Sequence, residues 1–102
     1  MRIMLACAAG MSTSLVVSRM QDAAKAGGKD YKIWAVDKGE IQAEMGNFDV
    51  LLLGPQVRYI LKRVKAQVGE GAIVDVIDGL SYGTCDGAAI LKQAETLYGM
   101  GK

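Results

Sequence analysis

The chain has 102 residues, of which 51% are hydrophobic and 23% charged, and its formal net charge is +1. This length suits a single domain with a buried core, so we expect residues 1–102 to fold as one domain. The balanced charge argues against nucleic acid as a partner. The longest apolar runs fall far short of the roughly 20 residues that span a bilayer, so we expect no direct membrane insertion.

The first predicted element is a short buried strand formed by the apolar run over residues 3–6. Cys7 ends this strand, and an amphipathic helix with Leu15, Val16, Met20 and Ala24 on its apolar face is predicted shortly afterwards. The turn between them contains only small, hydroxyl-bearing or flexible residues: Ala8, Ala9, Gly10, Met11, Ser12, Thr13 and Ser14. Free backbone N–H groups and the positive end of the helix dipole meet at such a turn, which predicts an anion-binding loop.

Cys7 is the candidate nucleophile, because a thiol beside such a loop should ionise more easily than a free cysteine. The chain contains no histidine, which excludes Cys-His pairs, Ser-His-Asp triads and imidazole metal sites. The second cysteine, Cys85, has no metal-ligand spacing to Cys7, so we expect neither a metal nor another cofactor. The first residues do not resemble a secretion signal, and we therefore expect reduced thiols and a cytoplasmic protein.

Three more strands are predicted along the chain. Residues 31–36 and 72–77 each carry one charged residue, Lys32 and Asp75, which indicates edge strands. Residues 50–53 are apolar throughout, as is typical of a central parallel strand covered on both faces.

Two further helices are predicted between and after these strands. The first has its apolar face at Val57, Ile60, Leu61, Val64 and Val68, and the last at Ile90, Leu91, Ala94, Leu97 and Tyr98. The basic residues of the first of these helices are interpreted mainly as a solvated face, with contact to an acidic partner as the alternative: Arg58, Lys62, Arg63 and Lys65. The alternation of strands and helices predicts an α/β fold with a single four-stranded parallel sheet and helices on both faces.

Ligands of such sheets bind at the carboxyl ends of the strands, where Cys7, residues 54–56 and residues 78–83 all lie. Pro55, Gln56 and Tyr82 are therefore candidates for the rim of the site. Structural roles explain them equally well, namely loop geometry for Pro55 and Gln56 and packing of the turn for Tyr82. Asp78 has the position of a general acid, although an aspartate that initiates a turn is the favoured interpretation.

Three stretches, residues 5–15, 52–57 and 77–87, resemble the IIB component of bacterial sugar phosphotransferase systems of the lactose/cellobiose type, and the similarity covers essentially the whole chain. The resemblance implies that Cys7 accepts a phosphoryl group from a phosphohistidine on a IIA partner. Cys7 would then pass it to a sugar, expected to be a β-linked disaccharide, in the membrane component IIC. The resemblance also makes residues 8–14 the phosphate loop and residues 1–102 a single IIB domain.

The main alternative is a low-molecular-weight phosphatase, whose similar strand, phosphate loop and helix carry the pattern cysteine, five residues, arginine. Thr13 occupies the arginine position here. Without a guanidinium group, a hydrolytic transition state is less stabilised, which favours carrying phosphate over hydrolysing it. The same strand, loop and helix would also suit an arsenate-reductase-like enzyme with Cys85 as a resolving thiol. They would equally suit a non-catalytic anion-binding module in which residues 12–14 only cap the helix.

Overall fold

Four parallel strands form one sheet in the computed structural model, which describes residues 1–8 and 11–100 but not the side chains of residues 11, 12 and 100. The strands are β1 (Arg2–Cys7), β2 (Lys32–Asp37), β3 (Val50–Leu53) and β4 (Ile73–Val76), in the order β2-β1-β3-β4. The apolar strand β3 is central and the strands that contain Lys32 and Asp75 are at the edges, as predicted.

The helices are α1 (Met11–Ala26), α2 (Leu61–Val68), α3 (Gly79–Gly83) and α4 (Gly87–Met100). Helices α1 and α4 pack against each other on one face of the sheet, and α2 covers the other face. The α/β fold with helices on both faces is therefore confirmed. Within the described part of the chain, none of the helices combines the length and apolar character needed to cross a bilayer.

Each face of the sheet has its own hydrophobic core, because side chains alternate across the faces of a strand. On the α1/α4 face, Ile3, Leu5, Val50 and Leu52 pack against helix residues such as Met20. Their sequence neighbours face α2, where the fully or nearly buried residues include Met4, Ala6, Leu51, Leu53, Phe48, Val57, Ile60 and Val64. Strands β1 and β3 thus contribute to both cores, which explains why residues 3–7 of β1 and all of β3 are apolar.

Two details of the predicted helices are wrong. Leu15, expected on the apolar face of α1, is 47% exposed. The helix predicted from Val57 begins only at Leu61, because Pro55–Ile60 forms 3-10 turns in which Val57 has non-helical angles of φ −115° and ψ 20°. These turns still bury Val57 and Ile60 in the α2-side core, so the apolar spacing predicts the buried residues correctly but not the backbone conformation.

Two other connections also differ from the simple alternation of strands and helices. The link from β2 to β3 contains two 3-10 turns, Lys38–Glu40 and Gln42–Glu44, in place of a helix. The stretch expected to be a turn at residues 78–83 contains the short helix α3 (Gly79–Gly83). The basic residues of the α2 region are exposed as predicted: Arg58, Lys62, Arg63 and Lys65.

The register of the sheet brings the strand ends together. Cys7 pairs with Asp37, and Ala6 pairs with Leu53, which in turn pairs with Val76. All four strands therefore end at the same edge, which we call the carboxyl edge. The chain segments that follow Cys7, Leu53 and Val76 all start from this edge.

Candidate active site at Cys7

Cys7 is the last residue of β1, and only 1% of its surface is exposed. The hydroxyl of Thr13, in the first turn of α1, donates a hydrogen bond to Cys7 Sγ at 2.6 Å. Thr13 is also 1% exposed, and it is the buried polar residue of the described core. Since a buried hydroxyl is costly without a partner, this contact fixes both side chains and places an O–H donor on the sulfur.

The start of α1 supplies the electrostatic part of the site. The first turn of this helix contains no acidic residue, so the partial positive charge at its N-terminus is not neutralised from within the turn. The first backbone N–H groups of a helix have no partner within the helix, and this is the feature that binds anions at helix starts. Ala8, which precedes α1, and Ser14, in the first turn of α1, are both exposed.

Part of the predicted phosphate loop, residues 8–14, lies outside the described residues. This applies to Ala9 and Gly10, and to the side chains of Met11 and Ser12. The assignment of the whole loop to phosphate binding therefore stays a prediction.

The candidate rim residues Gln56 and Tyr82 lie next to this site. Gln56 Nε2 donates a hydrogen bond to the Tyr82 hydroxyl at 3.1 Å, and that hydroxyl is 3.5 Å from Thr13 Oγ1. Pro55 begins the 3-10 turn that carries Gln56. Tyr82 also packs against the core on the α1/α4 face, which agrees with the interpretation that it packs the turn. Its role at the rim of the site stays a prediction.

Gly54 is a residue of the site that the sequence marks only as the end of a strand. A Cβ atom here would lie 2.6 Å from Gln56 Oε1 and 3.2 Å from Cys7 Cβ. The backbone of Gly54 is held close to β1 by a hydrogen bond from its N–H to the Ala6 carbonyl at 2.8 Å. A larger residue at position 54 would therefore displace the Gln56 amide from the place it has here and press on Cys7 Cβ. The Gly-Pro break directly after an apolar strand is the sequence signal that could have indicated it.

Asp78 caps α3, which confirms the structural interpretation. Its carboxylate accepts hydrogen bonds from the Ser81 N–H at 3.0 Å and the Ser81 hydroxyl at 2.9 Å. Both bonds hold the pKa of Asp78 below its usual value, and the bond from the Ser81 backbone N–H has the larger effect. A carboxyl group that stays ionised in this way is poorly suited to act as a general acid.

Helix α4 holds the start of α3 in place. The Gln93 side chain donates to the Val76 carbonyl at 2.9 Å and accepts a hydrogen bond from the Asp78 N–H at 3.0 Å. The end of β4 and the start of α3 are thereby tied to α4. This link helps to fix Tyr82, which lies in α3, against the Cys7 site.

Cys85 is a half-buried free thiol between α3 and α4. It has a positive φ of 53°, and its side chain packs against the core on the α1/α4 face. Its surroundings are thus those of a packing residue in a tight connection. In the described residues, no group of three His, Cys, Asp or Glu side chains is placed to hold a metal ion.

The family model described as "PTS system, Lactose/Cellobiose specific IIB subunit" matches residues 2–93. The chain belongs to this family. It is therefore a IIB component of a sugar phosphotransferase system, a phosphoryl carrier that acts in sugar uptake. Membership also makes it a transferase of phosphoryl groups. The resemblance seen in the sequence is thus confirmed.

Relatives extend over nearly the whole of this IIB chain. The oligo-beta-mannoside-specific EIIB component of Bacillus subtilis (strain 168) is 37% identical over 97 residues, which are 94% of each protein. The galactose-specific EIIB component of Lactococcus lactis subsp. cremoris (strain MG1363) is 47% identical over 102 residues. The cellobiose-specific EIIB component of Lactococcus lactis subsp. lactis (strain IL1403) has the same identity over the same length. Each of these two alignments covers 93% of this chain and 94% of the relative.

Solved structures of IIB proteins have the same fold. The cellobiose-specific IIB component of Borrelia burgdorferi superposes with a TM-score of 0.81 at 32% identity, covering 100% of this chain and 94% of the other. The lactose-specific IIB domain of Streptococcus pneumoniae gives a TM-score of 0.86 with coverage of 96% and 97%. Its identity is only 18%, so this second likeness concerns the fold alone.

Proposed function

We propose that Cys7 is the residue of this IIB component that carries the phosphoryl group, with residues 8–14 as the loop that binds it. The observation that carries this proposal is the hydrogen bond from Thr13 to the Cys7 sulfur at the carboxyl edge, beside the unneutralised start of α1. An O–H donor and a positive helix end both stabilise negative charge, and a negatively charged sulfur is the form that attacks phosphorus.

The proposed relay has two steps. In the first, the Cys7 thiolate attacks a phosphohistidine of the IIA partner, so that an S–P bond forms while the N–P bond breaks and the imidazole keeps the electron pair. In the second, a sugar hydroxyl in the IIC component attacks the phosphocysteine and releases its proton to water. An O–P bond then forms as the S–P bond breaks and the thiolate of Cys7 returns. Catalysis of such transfers rests mainly on positioning and on stabilising charge.

Family membership supports proposals for the sugar and for the compartment. Relatives are described as specific for cellobiose, galactose or oligo-beta-mannoside. We propose a β-linked disaccharide or short oligosaccharide as the final acceptor, which would bind to IIC and not to this chain. We also propose that the protein acts in the cytoplasm, where it would exchange the phosphoryl group with a IIA protein.

Exposed apolar side chains beside the site are proposed to contact the partners. The large hydrophobic residues Leu15, Tyr59 and Leu80 are 47%, 69% and 78% exposed. Each lies in a segment that starts from the carboxyl edge, namely α1, the 3-10 turns after β3, and α3. A donor histidine has to come within roughly 3–3.5 Å of the sulfur, so a partner that reaches Cys7 would also cover these residues. Met11, Pro55 and Tyr82 would form the inner rim of this surface.

The phosphoryl-carrier assignment is tested by incubating the protein with a phosphorylated IIA protein and measuring its intact mass. We expect the mass of one phosphoryl group to be added, and peptide mapping to place it on Cys7. Phosphorylation of another residue, or none at all, would refute the assignment. The Cys7→Ser variant is the natural control.

We expect Leu80→Ser to weaken binding of a IIA partner about tenfold, because a contact residue in an interface contributes on the order of 1–3 kcal/mol. Folding should be unchanged, since Leu80 is exposed in the free protein. Binding is measured by titration, and amide chemical-shift mapping should perturb the loops at residues 55 and 82. Shifts confined to the opposite edge, near Gly28 and Asp30, would contradict this docking surface.

We also expect the protein alone to hydrolyse aryl phosphates negligibly. Thr13 provides no guanidinium group for a hydrolytic transition state, and the ionised carboxylate of Asp78 cannot protonate a leaving group. The measurement is release of an aryl alcohol over time, with Cys7→Ser as the blank. A Cys7-dependent turnover of about 1–10³ per second, as in dedicated enzymes, would favour the phosphatase alternative.

A further inference from the structure

We infer that Gln56 and Tyr82 are positioning residues that act through Thr13 as a directed chain of hydrogen bonds ending on the Cys7 sulfur. This inference rests on the proposed role of Cys7. Its members come from three separate segments at the carboxyl edge, which follow β1, β3 and β4. The contacts in order are 3.1 Å from Gln56 Nε2 to the Tyr82 hydroxyl, 3.5 Å from there to Thr13 Oγ1, and 2.6 Å to Cys7 Sγ.

The chemistry of the groups sets the direction of this chain. An amide NH₂ group only donates, so the Tyr82 oxygen accepts from Gln56 and its own hydrogen can point to Thr13. Thr13 has one hydroxyl hydrogen, and it is directed at Cys7 Sγ. When the Thr13 oxygen accepts from Tyr82, its hydrogen becomes a stronger donor, because successive hydrogen bonds polarise one another.

The sulfur needs this donor at two stages of the relay. It carries negative charge as a thiolate before it attacks the phosphohistidine, and again when the phosphoryl group leaves for the sugar. A donor held in position for that charge lowers the barrier of both steps. The separation between Tyr82 and Thr13 is long for an O–H···O bond, and catalytic hydrogen bonds often shorten only in the reacting complex.

Surrounding residues hold the outer members of the chain in place. Gly54 leaves room for the Gln56 amide, since a Cβ atom there would collide with Gln56 Oε1. The cap by Asp78 and the bonds of Gln93 fix the start of α3, the helix that carries Tyr82. Gln56 itself is exposed, so the chain runs from the surface that a partner would cover to the buried sulfur.

The test compares Tyr82→Phe and Gln56→Leu with wild type and with Tyr31→Phe as a matched control. Tyr31 also donates its hydroxyl to a side chain, Glu95 at 2.7 Å, but it precedes β2 at the opposite edge of the sheet. The first readout is alkylation of Cys7 by iodoacetamide at neutral pH and at alkaline pH, where every thiol is ionised. The second readout is the rate of phosphoryl transfer from a IIA protein.

We expect Tyr82→Phe to slow alkylation at neutral pH and the maximal transfer rate by about 3- to 10-fold, the effect of one hydrogen bond. Gln56→Leu should have a smaller effect in the same direction, and Tyr31→Phe none. The alkaline alkylation rate should not change, because access to the sulfur is unaltered. Thr13→Ser keeps the hydroxyl and should keep most of the phosphoryl-transfer activity. Thr13→Val removes the hydroxyl and should lose most of that activity. In the Thr13→Val background, Tyr82→Phe should cause no further loss, since its effect passes through Thr13.

Equal alkylation rates of Tyr82→Phe and wild type at neutral pH would overturn the inference. So would a Tyr82→Phe variant that is alkylated more slowly by a similar factor at alkaline pH. A further loss in the double variant would overturn it too. Alkylation does not depend on any partner protein, so the role of Cys7 and the hydrogen-bond chain can be tested separately. If wild-type Cys7 accepts no phosphoryl group, the proposed function fails. If Cys7 is phosphorylated but Tyr82→Phe behaves like Tyr31→Phe, only the hydrogen-bond chain fails.

Discussion

Replacing Cys7 by serine is expected to abolish phosphoryl acceptance completely. A serine hydroxyl is a weak nucleophile at neutral pH unless a base removes its proton. The Thr13 hydroxyl beside position 7 acts as a donor to the sulfur and not as a base. Folding should survive, because the exchange is nearly isosteric at the end of β1. The measurement is intact mass after incubation with a phosphorylated IIA protein, together with a thermal unfolding curve.

The matched control is Cys85→Ser, which removes the other thiol. We expect this variant to accept the phosphoryl group normally, because Cys85 packs against the core between α3 and α4. The start of α4 beside Cys85 is already capped by the Asp86 carboxylate, which accepts a hydrogen bond from the Ala89 N–H at 3.1 Å. Limiting iodoacetamide should label Cys7 first, and inorganic phosphate should slow that labelling by competing for the same site. An inactive Cys85→Ser variant, or faster labelling of Cys85, would contradict the assignment and favour a resolving-cysteine mechanism.

The parts of the fold that could be predicted from sequence are those fixed by burial alone. A run of four apolar residues, Val50–Leu53, can be buried on both faces only at the centre of a sheet, and β3 occupies that position. A charged residue in the middle of a strand favours an edge position, and Lys32 and Asp75 lie in edge strands. Parallel strands end at one edge, so the segments around Cys7, Gln56 and Tyr82 meet as expected.

The details that sequence did not reveal depend on atoms brought together from distant positions. Local sequence indicates a loop donor at Thr13, and its contact with Cys7 Sγ depends on where α1 sits relative to β1. The limited space at position 54 follows from how close Gly54 lies to Cys7 Cβ and to the Gln56 amide. The 3-10 turns of Pro55–Ile60 bury the same apolar residues as a helix would, so hydrophobic spacing cannot distinguish the two.

The same limit applies to exposed apolar residues. Leu15 fits the apolar spacing of α1, yet it is about half exposed, because neither core reaches that side of the helix. A periodic pattern reports which residues share a helix face and cannot report whether a neighbour covers it. In a protein that has to dock on partners, such a residue is free to serve an interface.

Gly87→Ala is expected to be the most damaging small substitution in the scaffold. A Cβ atom at Gly87 would lie 2.5 Å from the Met20 backbone nitrogen and 2.6 Å from Arg19 Cβ, distances at which α1 and α4 would have to separate. Overpacking of this kind costs typically 1–3 kcal/mol, and we expect about 3 kcal/mol here because the atoms in the way are mainly backbone. Chemical denaturation with a two-state fit measures the free energy of unfolding.

Gly99→Ala is the matched control, since it makes the same substitution in the same helix α4. Nothing lies within 4 Å of a Cβ atom at Gly99, so the added methyl group meets open space. Alanine is a better helix former than glycine, and we expect a gain of about 0.5–1 kcal/mol. Because Gln93 links α4 to the start of α3, the Gly87→Ala variant should also transfer phosphate more slowly, as Tyr82 shifts away from Thr13. Equal stability of the two variants would mean that α1 and α4 can separate at little cost, and the tight contact at Gly87 would then not be needed for the fold.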